Sequence, residues 1–224
     1  MIGVKISPSL MCMDLTKFYE QISYLNQVVN GYHVDIMDGH YVKNMTLSPW
    51  FIEQLKKVTS VPIDAHLMVT NPEEYVETLL DLDVESVSIH AEHLNGQAFR
   101  ISEMIKNHGK KFGVVLNPET SIEIIKDFIE HIDIITVMTV DPGFAGQTFI
   151  EESLEKIRFL SKYKKEHYLS FEIQIDGSCN KNTYQKLSNV GAEILILGSS
   201  GLFGLDENIG YAVQKMQKEL YLID

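Results

Sequence analysis

Tyr32-His33-Val34-Asp35-Ile36-Met37-Asp38-Gly39 is the stretch on which the fold turns. On a β-strand successive side chains point to opposite faces, so His33, Asp35 and Met37 share one face while Val34 and Ile36 share the other. The apolar pair suits packing against helices, and the polar set suits the mouth of a barrel. Asp38-Gly39 reads as the turn that ends the run. Ser48-Pro49 then places a polar cap before a proline in a first helical turn. The next apolar run, Ile63-Asp64-Ala65-His66-Leu67-Met68, repeats the alternation with Asp64 and His66 facing one way.

This strand–helix unit recurs outward in both directions, about every 25 to 30 residues. Apolar runs rich in Val, Ile and Met occupy residues 4–10, 32–37, 62–69, 84–90, 111–117, 132–139, 170–176 and 193–197. Amphipathic stretches with helical spacing occupy 15–29, 49–58, 72–82, 97–107, 121–131, 152–165, 181–190 and 207–220. Ile122, Ile125, Phe128 and Ile129 illustrate that spacing. Asn71-Pro72-Glu73 reads as a helix start, and His108-Gly109 and Val190-Gly191 as helix stops. Eight strand–helix units without a linker or low-complexity segment predict a single-domain (β/α)8 TIM barrel over residues 1–224. A doubly wound open sheet is the alternative.

Composition narrows the function. Of 224 residues, 45% are hydrophobic and 22% charged, which suits a globular protein with a sizeable core. The net charge of −12, with no basic stripe, argues against a nucleic-acid surface. A small anionic ligand stays open, because backbone amides can supply positive potential without lysine. No apolar stretch approaches the ~20 residues of a membrane span. Met1 leads almost directly into the first apolar run, which reads as no signal peptide, and the expected compartment is the cytoplasm. Cys12 and Cys179 read as free thiols rather than a disulfide framework.

Barrel enzymes work at the C-terminal ends of their strands. His33 and Asp35 end the second run, His66 the third and Asp176 the seventh. Two imidazoles and two carboxylates can ligate a divalent metal, and carboxylates can move protons. The bland reading of His33 and Asp35 is a hydrogen-bonded pair that orders the core. Asp64 lies deeper and can orient a ligand histidine. Glu172 and Gln174 also point inward, Glu172 as a structural polar group. Asp141-Pro142-Gly143-Phe144-Ala145-Gly146-Gln147, Gly177-Ser178 and Gly198-Ser199-Ser200-Gly201 follow the sixth, seventh and eighth runs. Such glycine loops let amides turn toward a phosphate. Ser9 either touches substrate or caps a helix. Met37, Met68 and Met138 are core, or a soft apolar cover over a reactive carbon. His90 reads as structural or as support to a ligand. His93, His108, His131 and His167 read as surface or helix-end residues. Lys5, Lys110 and Lys111 start strands and face the opposite end, which argues against a Schiff-base lyase.

These motifs resemble the ribulose-phosphate 3-epimerase family along essentially the whole chain. The matching pieces are Ser7-Pro8-Ser9-Leu10, the stretch from His33 to Gly39, His66-Leu67-Met68-Val69, the stretch from Val137 to Gln147, and Ile175-Asp176-Gly177. Five further segments resemble the branch of the family that works on D-allulose 6-phosphate. They are residues 8–15, Asn95-Gly96-Gln97-Ala98-Phe99-Arg100, Asn117-Pro118-Glu119-Thr120, Asp176-Gly177-Ser178-Cys179-Asn180 and Ser200-Gly201-Leu202-Phe203. Where pentose-specific members usually carry Gly-Phe-Gly-Gly, this chain has Ala145 in the third place. Where they carry two glycines after the aspartate, it has Gly177-Ser178.

The resemblance implies one divalent ion held by His33, Asp35, His66 and Asp176, with zinc first and manganese, cobalt or iron also fitting. It implies Asp35 and Asp176 as the proton-transfer pair. It implies sugar-phosphate contacts from Ser9, His66, Gly143, Phe144, Ala145, Gly146, Asp176, Gly177, Ser178, Gly198, Ser199 and Ser200. The implied reaction is inversion at C3 of a 2-keto sugar phosphate through a C2–C3 enediolate. The implied substrate is D-allulose 6-phosphate, giving D-fructose 6-phosphate, with D-ribulose 5-phosphate, giving D-xylulose 5-phosphate, as the alternative. From another class, a non-catalytic sugar-phosphate binder is the rival. The implied assembly is a homo-oligomer, dimer or hexamer.

Overall fold

The computed structural model describes residues 4–221. The reading of the chain start rests on residues 1–3, which lie outside the described residues. Eight parallel strands form one sheet: β1 (Lys5–Pro8), β2 (Tyr32–Met37), β3 (Ile63–Met68), β4 (Ser86–His90), β5 (Lys111–Leu116), β6 (Ile134–Met138), β7 (Glu172–Asp176) and β8 (Ile194–Leu197). They pair in the order β1-β8-β7-β6-β5-β4-β3-β2. A parallel bridge between Ser9 and His33 brings the two ends of that order together. The sheet therefore closes into a (β/α)8 barrel, and the open-sheet alternative falls.

Apart from the exposed Lys5 that opens β1, the strands are buried or half-buried on both faces, as barrel strands are. The outward set includes Val34, Ile36, Ala65, Leu67, Val87, Ile89, Val114, Ile135, Ile173 and Leu195, and it packs with helix residues such as Ile22, Ile52, Leu79, Ile105, Leu160 and Leu187 into one core. The inward set is unusually polar. It includes Ser7, His33, Asp35, Asp64, His66, Ser86, Ser88, Thr136 and Gln174, all buried.

Among the described residues seven α-helices cover the sheet: α1 (Phe18–Leu25), α2 (Pro49–Lys56), α3 (Glu73–Asp81), α4 (Ala98–Asn107), α5 (Ser153–Glu166), α6 (Tyr184–Val190) and α7 (Ile209–Tyr221). Pro49 opens α2 as expected, but the Ser48 side chain makes no capping bond. Pro72 is helical in backbone yet stands just before α3, which begins at Glu73. Gly191 ends α6 in the left-handed region, at φ 100°.

The stretch expected as a helix after β5 is instead a ten-residue 3-10 helix, Ile122–His131. Ile122, Ile125 and Phe128 recur at a spacing of three, the period of that tighter helix, with Ile129 buried beside them. After β8, Ser199–Phe203 forms a π-helical turn where the sequence reads as an open glycine loop. A β-carbon at Gly201 would lie 2.2 Å from the Cys179 carbonyl oxygen, so only glycine admits that turn.

Candidate metal and sugar-phosphate site

The alternation along β2 and β3 sets the geometry. In the parallel register His33 stands opposite Asp64, and Asp35 opposite His66. Asp176 reaches the same point from the end of β7, where Met138 is its neighbour on β6. His33 Nε2 lies 3.1 Å from His66 Nδ1 and 3.3 Å from Asp35 Oδ1. His66 Nδ1 lies 3.2 Å from Asp35 Oδ1 and 3.6 Å from Asp176 Oδ2. His33 Nε2 is 3.8 Å from Asp176 Oδ2. One candidate ligand atom from each residue lies within 4.8 Å of all the others. The structure thus brings together all four residues named from sequence.

The donor set fits a metal. Ligand atoms about 2.1 Å from a tetrahedral zinc stand roughly 3.4 Å apart, close to the separations here. The mixed nitrogen–oxygen set is one that zinc and its first-row neighbours accept. His33 Nδ1, the nitrogen turned away from the cluster, donates to Asp64 Oδ2 at 2.9 Å. Asp64 in turn accepts from Ser86 Oγ at 2.6 Å and Ser88 Oγ at 2.8 Å through its other oxygen. A carboxylate behind a histidine fixes which nitrogen is left free to ligate. The cluster could therefore bind a divalent ion.

Burial and charge push the two candidate proton-transfer groups apart. Burial alone would raise Asp35, but the His33 imidazole, helped by His66, outweighs it and holds the carboxyl well below the usual range. Ser9 Oγ also donates to Asp35 Oδ2 at 2.6 Å, and it makes no capping bond. Burial pushes Asp176 up; the attraction of His33 is outweighed once the charge of Asp35 adds to the burial. His33 is lowered by burial and raised more strongly by Asp35 and Asp64, so it stands well above its ordinary value. The two carboxyls are thus displaced in opposite directions by their surroundings.

Above the cluster an open cleft lies at the barrel mouth. Its lining includes every sequence-named contact residue except His66, which is fully buried beneath it. Met37, Met68 and Met138 line it and are buried. The glycine loops are tied to one another. Gln147 Nε2 donates to the carbonyls of Asp141 at 2.6 Å and Phe144 at 2.8 Å, stapling its own loop. Asn44 Nδ2 donates to the Gly143 carbonyl at 2.7 Å. Ser178, in the left-handed region at φ 47°, donates its hydroxyl to the Gln147 carbonyl. Asn180 Nδ2 bonds both the Ser178 carbonyl and Ser200 Oγ, joining the loops after β7 and β8.

The remaining sequence readings sort cleanly. Asp38 is a turn residue: its carboxylate accepts from the amides of His40, Tyr41 and Thr70 and from the Thr70 hydroxyl. Glu172 pairs with Lys5 and Lys111 at the opposite end of the barrel. His108, His131 and His167 are exposed, and His93 is half-buried against the Tyr41 ring. Cys12 and Cys179 are free; Cys12 lines the cleft. Sequence reasoning gave Tyr41 no place in this region, and it gave Cys12 and Asn117 no role there. Tyr41 sits in an irregular loop, where no periodicity gives its direction.

A closed parallel barrel with such a cluster at its C-terminal mouth, beside glycine loops after β6, β7 and β8, defines a class: a barrel enzyme acting on a small phosphorylated substrate. Solved structures agree on the fold. A tryptophan synthase α-subunit mutant from Pyrococcus furiosus superposes with a TM-score of 0.68 at 12% identity, covering 100% of this chain and 99% of that one. Thiamine phosphate pyrophosphorylase from the same organism gives 0.62 at 15%, covering 98% and 96%.

The sequence comparison is narrower. Residues 5–203 match the ribulose-phosphate 3-epimerase family, and the chain belongs to it. Ribulose-phosphate 3-epimerase of Aquifex aeolicus is 36% identical over 89% of each chain. That of Bacillus subtilis is 35% identical over 88% of this chain and 91% of its own. The chloroplastic Arabidopsis thaliana ribulose-5-phosphate 3-epimerase is 35% identical over 89% and 71%. These are carbohydrate epimerases, of the isomerase class. Among the described residues no helix is long and apolar enough to cross a membrane.

Proposed function

We propose that the protein inverts C3 of a 2-keto sugar phosphate, with D-allulose 6-phosphate and D-fructose 6-phosphate as its pair. The observation that carries the chemistry is the meeting of Asp35 and Asp176 from well-separated strands, with carboxylate oxygens within 4.8 Å and opposite pKa displacements. The C3 proton is acidic because it neighbours a carbonyl. One of Asp35 and Asp176 takes it from one face, and the other delivers a proton to the opposite face. The reverse reaction exchanges the two roles. His33, Asp35, His66 and Asp176 would hold a divalent ion, zinc first, which supplies electrophilic stabilisation of the enediolate charge. Ser9 keeps Asp35 oriented through its 2.6 Å bond. Met37, Met68 and Met138 keep water from the reacting carbon, limiting stray proton exchange. The loops at 143–146, 177–178 and 198–200 bind the phosphate through backbone amides and the Ser199 and Ser200 hydroxyls.

The five branch segments support the hexose. Ala145 and Ser178 stand in cleft-lining loops where two glycines mark the pentose pattern, so the phosphate end is shaped differently. The names of the relatives favour the pentose as the second reading. The test is kcat/KM of zinc-loaded enzyme on D-allulose 6-phosphate against D-ribulose 5-phosphate. The hexose should lead by at least about tenfold, roughly 1.4 kcal/mol in transition-state binding. A pentose lead would overturn the substrate and leave the chemistry standing. Turnover of neither would overturn both.

A further inference from the structure

Behind His66 runs a line of buried groups that the reaction itself does not use. His66 Nδ1 faces the cluster, and its Nε2 lies 2.8 Å from His90 Nε2, with the ring centroids 4.9 Å apart and the ring planes inclined by 24°. His90 Nδ1 lies 2.9 Å from Tyr41 Oη. As the amide stands, Asn117 Nδ2 donates to Tyr41 Oη at 2.8 Å. His66 and His90 are almost wholly buried, and Asn117 is buried as well. Asn117 Oδ1 is buried without a hydrogen-bond partner.

Two imidazole nitrogens 2.8 Å apart share one proton, so the line has a direction. If Nδ1 of His66 offers a lone pair to a cation, Nε2 must carry the proton and donate to His90 Nε2. His90 then carries its own proton on Nδ1 and donates to Tyr41 Oη. The tyrosine hydroxyl needs an acceptor in turn. The partnerless Asn117 oxygen is that acceptor once the amide turns by 180°. Run the other way, His90 donates to His66 Nε2, and His66 Nδ1 donates to Asp35 Oδ1 at 3.2 Å. That second arrangement leaves no lone pair for a metal. Backbone contacts hold Tyr41 in place: its amide donates to Asp38 Oδ1 at 2.9 Å, and Asp38 Oδ2 is bonded to Thr70 on the neighbouring loop.

We infer that Tyr41 is a positioning residue for metal binding: its hydroxyl accepts from His90 and donates to Asn117, fixing the His66 tautomer whose Nδ1 is free to ligate. The inference rests on the reading of the cluster as a metal site. Without the hydroxyl, the buried His90 Nδ1–H loses its acceptor, and the outward arrangement gives way to the metal-incompetent one.

The test is Tyr41→Phe, which keeps the ring that packs on His90 and His93 and removes one oxygen. Zinc affinity, read by competition with a chromophoric chelator, should weaken about 10- to 100-fold. Long-range ¹H–¹⁵N spectra of the metal-free protein should show His66 protonated at Nε2 in the wild type and shifted toward Nδ1 in the variant. A purely structural tyrosine would lower thermal stability without moving that signature. Asn117→Asp, which keeps an acceptor beside the hydroxyl, should hold the wild-type tautomer, while Asn117→Leu should behave as Tyr41→Phe. Unchanged zinc affinity in Tyr41→Phe overturns the inference, as does weakened affinity with an unchanged His66 tautomer. Failure of the wild type itself to bind zinc would overturn the metal reading beneath it.

Discussion

Asp64→Asn is the sharpest probe of the other histidine. The Asp64 carboxylate is buried and accepts three bonds, at 2.6 Å from Ser86, 2.8 Å from Ser88 and 2.9 Å from His33 Nδ1. Asparagine is isosteric. Its single carbonyl oxygen has two lone pairs and can keep both serines. Its NH₂ then faces His33 Nδ1 and can only donate, so His33 must carry its proton on Nε2. That nitrogen is the one 3.3 Å from Asp35 Oδ1 and 3.1 Å from His66 Nδ1, inside the cluster. The swap closes a ligand position without opening a cavity. Support of this kind is worth about 10- to 100-fold in metal affinity, or ~1.4–2.8 kcal/mol. Replacing a charge-assisted bond by a neutral one costs a further ~1 kcal/mol of fold stability. Chelator competition reads the first quantity and urea unfolding of the metal-free protein the second. Zinc affinity equal to wild type in a folded variant would refute the argument, because His33 would then choose its tautomer without Asp64.

Three other outcomes are expected. Asp176→Asn should lower kcat by at least ~100-fold while leaving the fold intact, since general acid–base groups contribute about 10²–10⁴; near-normal turnover would sink the two-carboxylate scheme. Gly177→Ala should cost roughly 2–5 kcal/mol in urea unfolding, because φ is +119° and the new β-carbon would sit 2.7 Å from Val140 and 2.9 Å from Thr139. A loss under 1 kcal/mol would show that the turn is not held there. The third concerns pH. Burial raises the Asp38 and Asp64 carboxyls, but amide and hydroxyl donors at Asp38, and His33 with two serines at Asp64, outweigh it and leave both depressed. Depressed groups stabilise the fold above the ordinary carboxylate value near ~3.9, and that stability is lost as pH falls through the lower folded values. The urea midpoint should therefore fall progressively below pH ~4, and Asp38→Asn should flatten part of the fall. A wild-type midpoint constant from pH 4 to pH 2 contradicts both assignments.

The readable part of the fold was the part that rests on period. Recurring apolar runs placed all eight strands, and two-residue alternation within the second, third and seventh put His33, Asp35, His66 and Asp176 on inward faces at strand ends. Helical spacing covered the gaps but failed after β5, because Ile122, Ile125 and Phe128 satisfy a three-residue period as well as a 3.6-residue one over so short a span. The π-turn at Ser199–Phe203 was illegible for another reason: it exists because the Cys179 carbonyl, more than twenty residues earlier, leaves room only for a hydrogen at Gly201.

Strand–helix order, the inward polar set and the family resemblance were legible along the chain, because side-chain direction along a strand is a local property of the backbone. The closed barrel was needed to show that β1 meets β2 through Ser9 and His33, and that Asp64 stands behind one histidine and His90 behind the other. It also decided that a loop tyrosine reaches His90. Register between strands and the aim of an irregular loop depend on contacts between residues far apart in the chain, so they arise only when the barrel closes.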